Sequence, residues 1–158
     1  MKYWINVHHP RVRGETRQNQ CKVYVQEKGR RKASEIQDGD LAFIYETGAL
    51  SGEKVEVVDE SGKRTVQLDK GRKGIIALVQ VSGSFHPRKW RWHNIPFVGF
   101  FNTQELACEK SSVSLNELDK ERKRSRLPLF NPRIYGGIRE LSPGEFRIFA
   151  WVIGYREG

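Results

Sequence analysis

Through most of the first hundred residues, apolar and polar positions alternate with a period of two, as in half-buried strands. In residues 2–8, Tyr3, Ile5 and Val7 share one face, Trp4, Asn6 and His8 share the other, and Pro10 ends the run. The second face mixes a large ring, an amide and an imidazole, which suits either half of a pocket or the wet side of an edge strand. Residues 21–25 predict a short strand and residues 33–36 one helical turn. Asp38-Gly39-Asp40 predicts a tight turn, because glycine takes positive φ and carboxylates bond nearby backbone. Residues 41–47 are aromatic and β-branched and predict a buried strand. Val55 and Val57 against Val66 and Leu68 predict a hairpin turning near Ser61-Gly62. Residues 74–82, the longest apolar run, predict the central strand.

The stretch 85–101 stands apart. Residues 85–93 are basic and aromatic, with Arg88, Lys89 and Arg91 threaded between Phe85, Trp90 and Trp92. They predict a loop that presents π-faces beside cations, an arrangement suited to stacking on a flat base next to a phosphate. Residues 95–101 are almost purely apolar and predict a buried strand. The competing reading is that both tryptophans plug the core.

Beyond residue 101 the period changes. Asn102-Thr103-Gln104-Glu105 fits a helix cap with its reciprocal acid, and Ser114-Leu115-Asn116-Glu117 repeats the signal. Residues 119–126 are a charge run with five cations, either a solvated face or a phosphate contact. Residues 127–137, with two prolines and a Gly-Gly pair, predict a loop. Ser142-Pro143-Gly144-Glu145 is a helix start, and Phe146, Phe149, Ala150 and Ile153 form one apolar face that Gly154 closes. Six or seven strands with two or three short helices, and no regular strand–helix alternation, predict an α+β chain. Its expected form is a small mixed β-barrel of about six strands with short peripheral helices, one domain spanning residues 1–158.

Charge adds a partner class. The 158 residues carry a formal net charge of +9, which favours anionic partners: nucleic acid first, a membrane surface or acidic protein second. The two cysteines, Cys21 and Cys108, form no CxxC pair and predict reduced thiols in a cytoplasmic protein. The start reads as an amphipathic strand, not a leader, and no run approaches the length of a membrane span. Phosphate loops, dinucleotide fingerprints and nucleophile elbows are missing from the sequence. Its four histidines make no zinc set, and adjacent His8 and His9 point to opposite faces of a strand. Asp38 and Asp40 lack a third ligand beside them. The expectation is therefore a protein that is not an enzyme and has no cofactor or metal.

Several of these groups also fall in a known order. Tyr3-Trp4-Ile5-Asn6, Asp38-Gly39-Asp40 with Phe43-Ile44-Tyr45, Gly74-Ile75-Ile76-Ala77, and Gly137-Ile138-Arg139-Glu140-Leu141-Ser142 with Glu145-Phe146 together resemble EVE-domain proteins over nearly the whole chain. The resemblance implies a PUA-like barrel, related to ASCH and YTH domains, that accepts a flipped-out modified base in an aromatic pocket. It implies DNA or RNA as partner, in the company of restriction or RNA-modification proteins. The candidate pocket is Trp4, Asn6, His8, Gln20, Tyr45, Trp90 and Trp92, with Asn6, His8 or Gln20 reading the base edge. The candidate phosphate contacts are Arg88, Lys89, Arg91, Arg122, Lys123 and Arg124. Relatives often carry an aromatic near residues 16–22, where this chain has none. The expected function is a non-catalytic reader of methylated or hydroxymethylated cytosine or of methylated adenine. The alternatives are a PUA-like RNA-binding module without that selectivity and an enzyme of nucleic-acid modification.

Overall fold

The computed structural model describes residues 1–15, 21–113 and 135–155. Eight strands are formed there: β1 (Tyr3–His8), β2 (Val23–Gln26), β3 (Leu41–Glu46), β4 (Lys54–Asp59), β5 (Gly62–Gln67), β6 (Gly74–Trp92), β7 (Ile95–Val113) and β8 (Ile138–Leu141). Two helices accompany them, α1 (Arg30–Ala33) and α2 (Pro143–Val152). The strands make one curled, half-barrel sheet in the order β2-β7-β6-β3-β1-β8, with the β4–β5 hairpin joined to the far end of β6. β1 runs parallel to β3, whereas the other pairs are antiparallel. As the apolar run predicts, β6 lies mid-sheet, between β3 and β7.

Strand alternation divides the core in two. On one face Ile5, Phe43 and Leu78 pack against Phe146, Phe149 and Ala150 of α2. On the inner face of the curl Trp4, Ile44 and Val79 meet Val23, Val25 and Phe101, with Ala33 of α1. The predicted start of α2 is present in full: the Ser142 hydroxyl accepts from the Glu145 N–H, and the Glu145 carboxylate accepts from the Ser142 N–H. Ser142→Ala removes half of that box and is expected to cost about 1 kcal/mol. A thermal melt should fall by about 2–4 °C, the shift that energy produces in a chain this long.

The Asp38-Gly39-Asp40 turn anchors the other end. Gly39 has φ 89°, a left-handed conformation that glycine takes without strain. Asp40 is buried and accepts from the Lys2 N–H, the Gln37 N–H and the Trp4 indole Nε1–H, each at 3.0 Å.

Three local expectations give way to sheet pairing. Residues 85–92 are the second half of β6, not a loop. The strand bends at Gly83, φ 88°, with a register shift between Ser82 and His86, then continues to a turn at His93-Asn94. The cap-like Asn102-Thr103-Gln104-Glu105 stays in β7, because Thr103, Gln104 and Glu105 pair with Val81, Gln80 and Val79. A ladder of inter-strand bonds overrides a four-residue cap signal. The helical turn expected at residues 33–36 lies at Arg30–Ala33, preceded by a 3-10 turn at Glu27–Gly29. The second cap signal at 114–117, the charge run at 119–126 and most of the predicted loop lie outside the described residues, although Tyr135–Gly137 form a 3-10 turn.

Candidate nucleic-acid interface

The outer halves of β6 and β7, the β4–β5 hairpin, β2 and the end of β1 enclose a surface cleft of about 110 Å³. Its walls include His9, Lys22, Tyr24, Asp59, Arg64, Arg88, Trp90, Trp92 and Phe100. The period of β6 puts Arg88, Trp90 and Trp92 on this side. Both tryptophans are half-buried, so neither is a core plug.

Each tryptophan already has one partner ring. Trp92 stacks on His9 with centroids 3.5 Å apart and planes 7° apart. Trp90 stacks on Phe97 at 4.7 Å and 3°. Tyr24 is nearly parallel to His9, at 17°, but stands at 74° to Trp90. The planes of Trp90 and Trp92 are therefore steeply inclined to each other. A flat ring can lie on one of them and meet the other edge-on, but it cannot be sandwiched between both.

Cations border the rings. The Lys22 Nζ lies 4.4 Å from the Phe100 centroid, and the Arg88 Cζ lies 5.7 Å from that of Trp90, both within cation–π range. Arg64 is bonded to Asp59; that bond first, and the Ser61 N–H second, hold the Asp59 carboxyl below the usual carboxylate range. Burial pushes the Tyr24 phenol up, so its hydroxyl stays protonated at neutral pH.

His9 is kept neutral. Burial lowers its affinity for a proton, outweighing the Pro10 carbonyl and the charge of Glu46, which act the other way. Its Nδ1 donates to the Pro10 carbonyl at 2.8 Å, so the neutral ring keeps Nε2 as an acceptor. Glu46 is itself buried and gripped by the Arg72 side chain and N–H. Because the folded His9 resists protonation, the unfolded chain binds more protons below about pH 6.5, the ordinary histidine value, and stability falls as pH drops through that window. His9→Phe keeps a ring on Trp92 and removes the titration. Its melting temperature should fall less than the parent's between pH 7.5 and 5.5; equal falls would remove His9 as a cause.

The predicted pocket residues separate into distinct places. Trp90 and Trp92 line the cleft. Trp4 does not: it is fully buried, with its only donor spent on Asp40. Asn6 is equally buried, and its amide is fully used. Its Nδ2 donates to the Tyr24 and Gly137 carbonyls, and its Oδ1 accepts from the Tyr24 N–H and from His8 Nε2, all at 2.9 Å. His8 is 2% exposed, lies against Tyr24 beneath the cleft, and is absent from its wall. Tyr45 sits on the opposite face of β3, packed toward α2. Gln20 lies outside the described residues, as do Arg122, Lys123 and Arg124.

Of the phosphate candidates, Arg88 enters the cleft, whereas the alternation of β6 turns Lys89 and Arg91 to the reverse face of the β6–β7 ribbon. His9, Tyr24, Phe97 and Phe100 were not among the predicted site residues. Tyr24 had a legible signal: it alternates with the buried Val23 and Val25, so it had to face the other way. His9 had none, because it follows the end of β1.

No protein-family model matches the chain, and no curated protein matches it.

Proposed function

We propose that this protein is a non-catalytic nucleic-acid-binding module that takes one unstacked base into the cleft between Tyr24, Trp90 and Trp92. The observation that carries this reading is the meeting, in one surface cleft, of five rings (His9, Tyr24, Trp90, Trp92, Phe100) with three cations (Lys22, Arg64, Arg88), of which Arg64 and Arg88 pair with Asp59 and Glu60. Stacking needs exposed π-faces and the backbone needs positive charge, and both are offered at one place. The mixed sheet, with β1 parallel to β3 and α2 closing one face, supports placing the fold among PUA-like barrels of the EVE type.

The cleft is smaller than the roughly 150 Å³ that accepts benzene in an apolar cavity. A base therefore enters by exchange: it takes the place of His9 on Trp92, where ring spacing is already that of a stack. Exchanging one neutral ring for another leaves the stacking contact intact. Extruding a base costs a few kcal/mol, and because the base replaces His9 the net stacking gain is less than the about 1–3 kcal/mol of a newly made stack, so phosphate contacts must supply the remainder. We further propose that the base is modified, a methylated or hydroxymethylated cytosine or a methylated adenine, and that the DNA or RNA is met alongside restriction or RNA-modification proteins. A methyl group adds about 0.8 kcal/mol when buried, roughly fourfold in affinity.

One observation favours the less selective alternative, a general RNA-binding module. Asn6 and His8, the first-strand groups expected to read a base edge, are consumed inside the protein. Fluorescence polarisation with matched plain and modified DNA and RNA strands, at low and physiological salt, separates the readings. A modified strand that keeps its advantage at higher salt establishes the reader. Equal binding of all strands that fades with salt leaves only the general module.

A further inference from the structure

A second cavity lies at the base of the same ribbon. It encloses about 530 Å³, within the range of small-molecule sites, and Val25, Ala33, Ile36, Phe85 and Phe101 make it mainly apolar. Phe100 lines the first cleft and Phe101 the second. Adjacent strand residues face opposite ways, so the two cavities open on opposite faces of the β6–β7 ribbon.

The surroundings of this cavity are cationic. Arg30 is in its wall, and Lys28, Arg31 and Lys32 are exposed beside it on α1 and the turn before it. None of these four makes an ion pair among the described residues. Lys89 and Arg91, also exposed and without an ion pair there, lie on this same reverse face. The cavity's one carboxylate, Asp38, is engaged by the Gly83 N–H at 2.7 Å. Phe85 leans on Phe101 with centroids 5.6 Å apart and is still 38% exposed, which leaves ring surface for a ligand.

We propose that this cavity is a second subsite, for the base of another nucleotide of the same single strand. Phe85 supplies the stacking surface, and Arg30, Arg31 and Lys32 hold the adjoining phosphates. The inference rests on the nucleic-acid reading of the first cleft. The strand passes around the ribbon, with a base on each face and its backbone near Lys89 and Arg91. This accounts for cations on the face that the first cleft does not use. An uncharged apolar occupant leaves them without a counter-charge.

The test uses single strands of two lengths, a trinucleotide and a longer oligonucleotide, on the full chain. Ser84→Trp fills the mouth of the cavity from an exposed position, and Arg30→Glu reverses its charge. Both should weaken the longer strand about tenfold, the first by the loss of one stacked base and the second by the loss of a phosphate contact, and leave the trinucleotide unchanged. Arg30→Glu should also flatten the salt dependence. In the unaltered protein, a photoactivatable thio-base along the longer strand should crosslink to the peptide containing Phe85 as well as to that containing Trp90 and Trp92. Parent-like binding of the longer strand by both variants, or crosslinks confined to the first cleft, overturns the proposal. Failure of the first-cleft reading looks different: substitutions of Trp90 and Trp92 would leave both strand lengths bound as in the parent.

Discussion

Asn6→Ala is expected to cost about 4 kcal/mol of stability, because it leaves several buried polar groups unpaired. The side chain does what a strand would otherwise do. β2 and β1 are not neighbours in the sheet, yet Asn6 both accepts from the Tyr24 N–H and donates to the Tyr24 carbonyl. That pair of bonds imitates a rung of a β-ladder and ties the two sides of the curl together. The same amide donates to Gly137, just before β8, and accepts from His8. The alanine variant strands two N–H groups and two carbonyls in a site closed to water. Each unsatisfied buried group costs about 1–3 kcal/mol, less whatever water can recover. Asn6→Asp tests the direction of the bonds: it keeps the acceptor and sets a carboxylate oxygen against two carbonyl oxygens, which is also strongly destabilising. Urea unfolding, read as a shift in midpoint at constant slope, measures both. A loss below 1 kcal/mol for the alanine variant would show that β2 is held without this amide.

The second large effect is on binding. Trp92→Ala should weaken nucleic-acid affinity by about 1 kcal/mol, roughly fivefold, the low end of the range for a stacked base because binding gives up the His9 stack, and Trp90→Ala should do the same to a lesser degree. Trp92 is given the greater share because its stacked partner is a half-buried histidine that a base can replace. Trp90 is backed by Phe97, which is buried in the sheet. Steep inclination of the two rings means that a base lies on only one of them, so the two losses should differ. Polarisation titrations of the parent and both variants, each checked by a melt for retained folding, give the values. Equal affinity in all three proteins would show that the cleft does not take a base.

The two effects are linked through Tyr24. Asn6 fixes both backbone polar groups of Tyr24, and the Tyr24 ring stands edge-on to Trp90. A milder loosening of Asn6 should therefore appear in binding before it appears as unfolding.

The sequence alone determined most of the strands, because burial on alternate positions leaves a period of two that needs no partner to be read. β1, β3, the β4–β5 hairpin, the inner half of β6 and the capped α2 are all legible in this way. So is the Asp38-Gly39-Asp40 turn, where local backbone chemistry is sufficient. The aromatic and basic character of residues 85–92 was equally plain. Only the tertiary structure decided what that character faces. It drew the stretch into a strand, because the ladder to β7 outweighs local loop character, and so sent Arg88 to one side and Lys89 and Arg91 to the other. It also separated Trp4 and Asn6, spent on internal hydrogen bonds, from Trp90 and Trp92, which line a surface cleft. A tryptophan or an asparagine has the same composition in both roles. The role depends on whether its polar atoms meet a partner brought from 18, 36 or 131 residues away, and that distance in sequence is closed only by the fold.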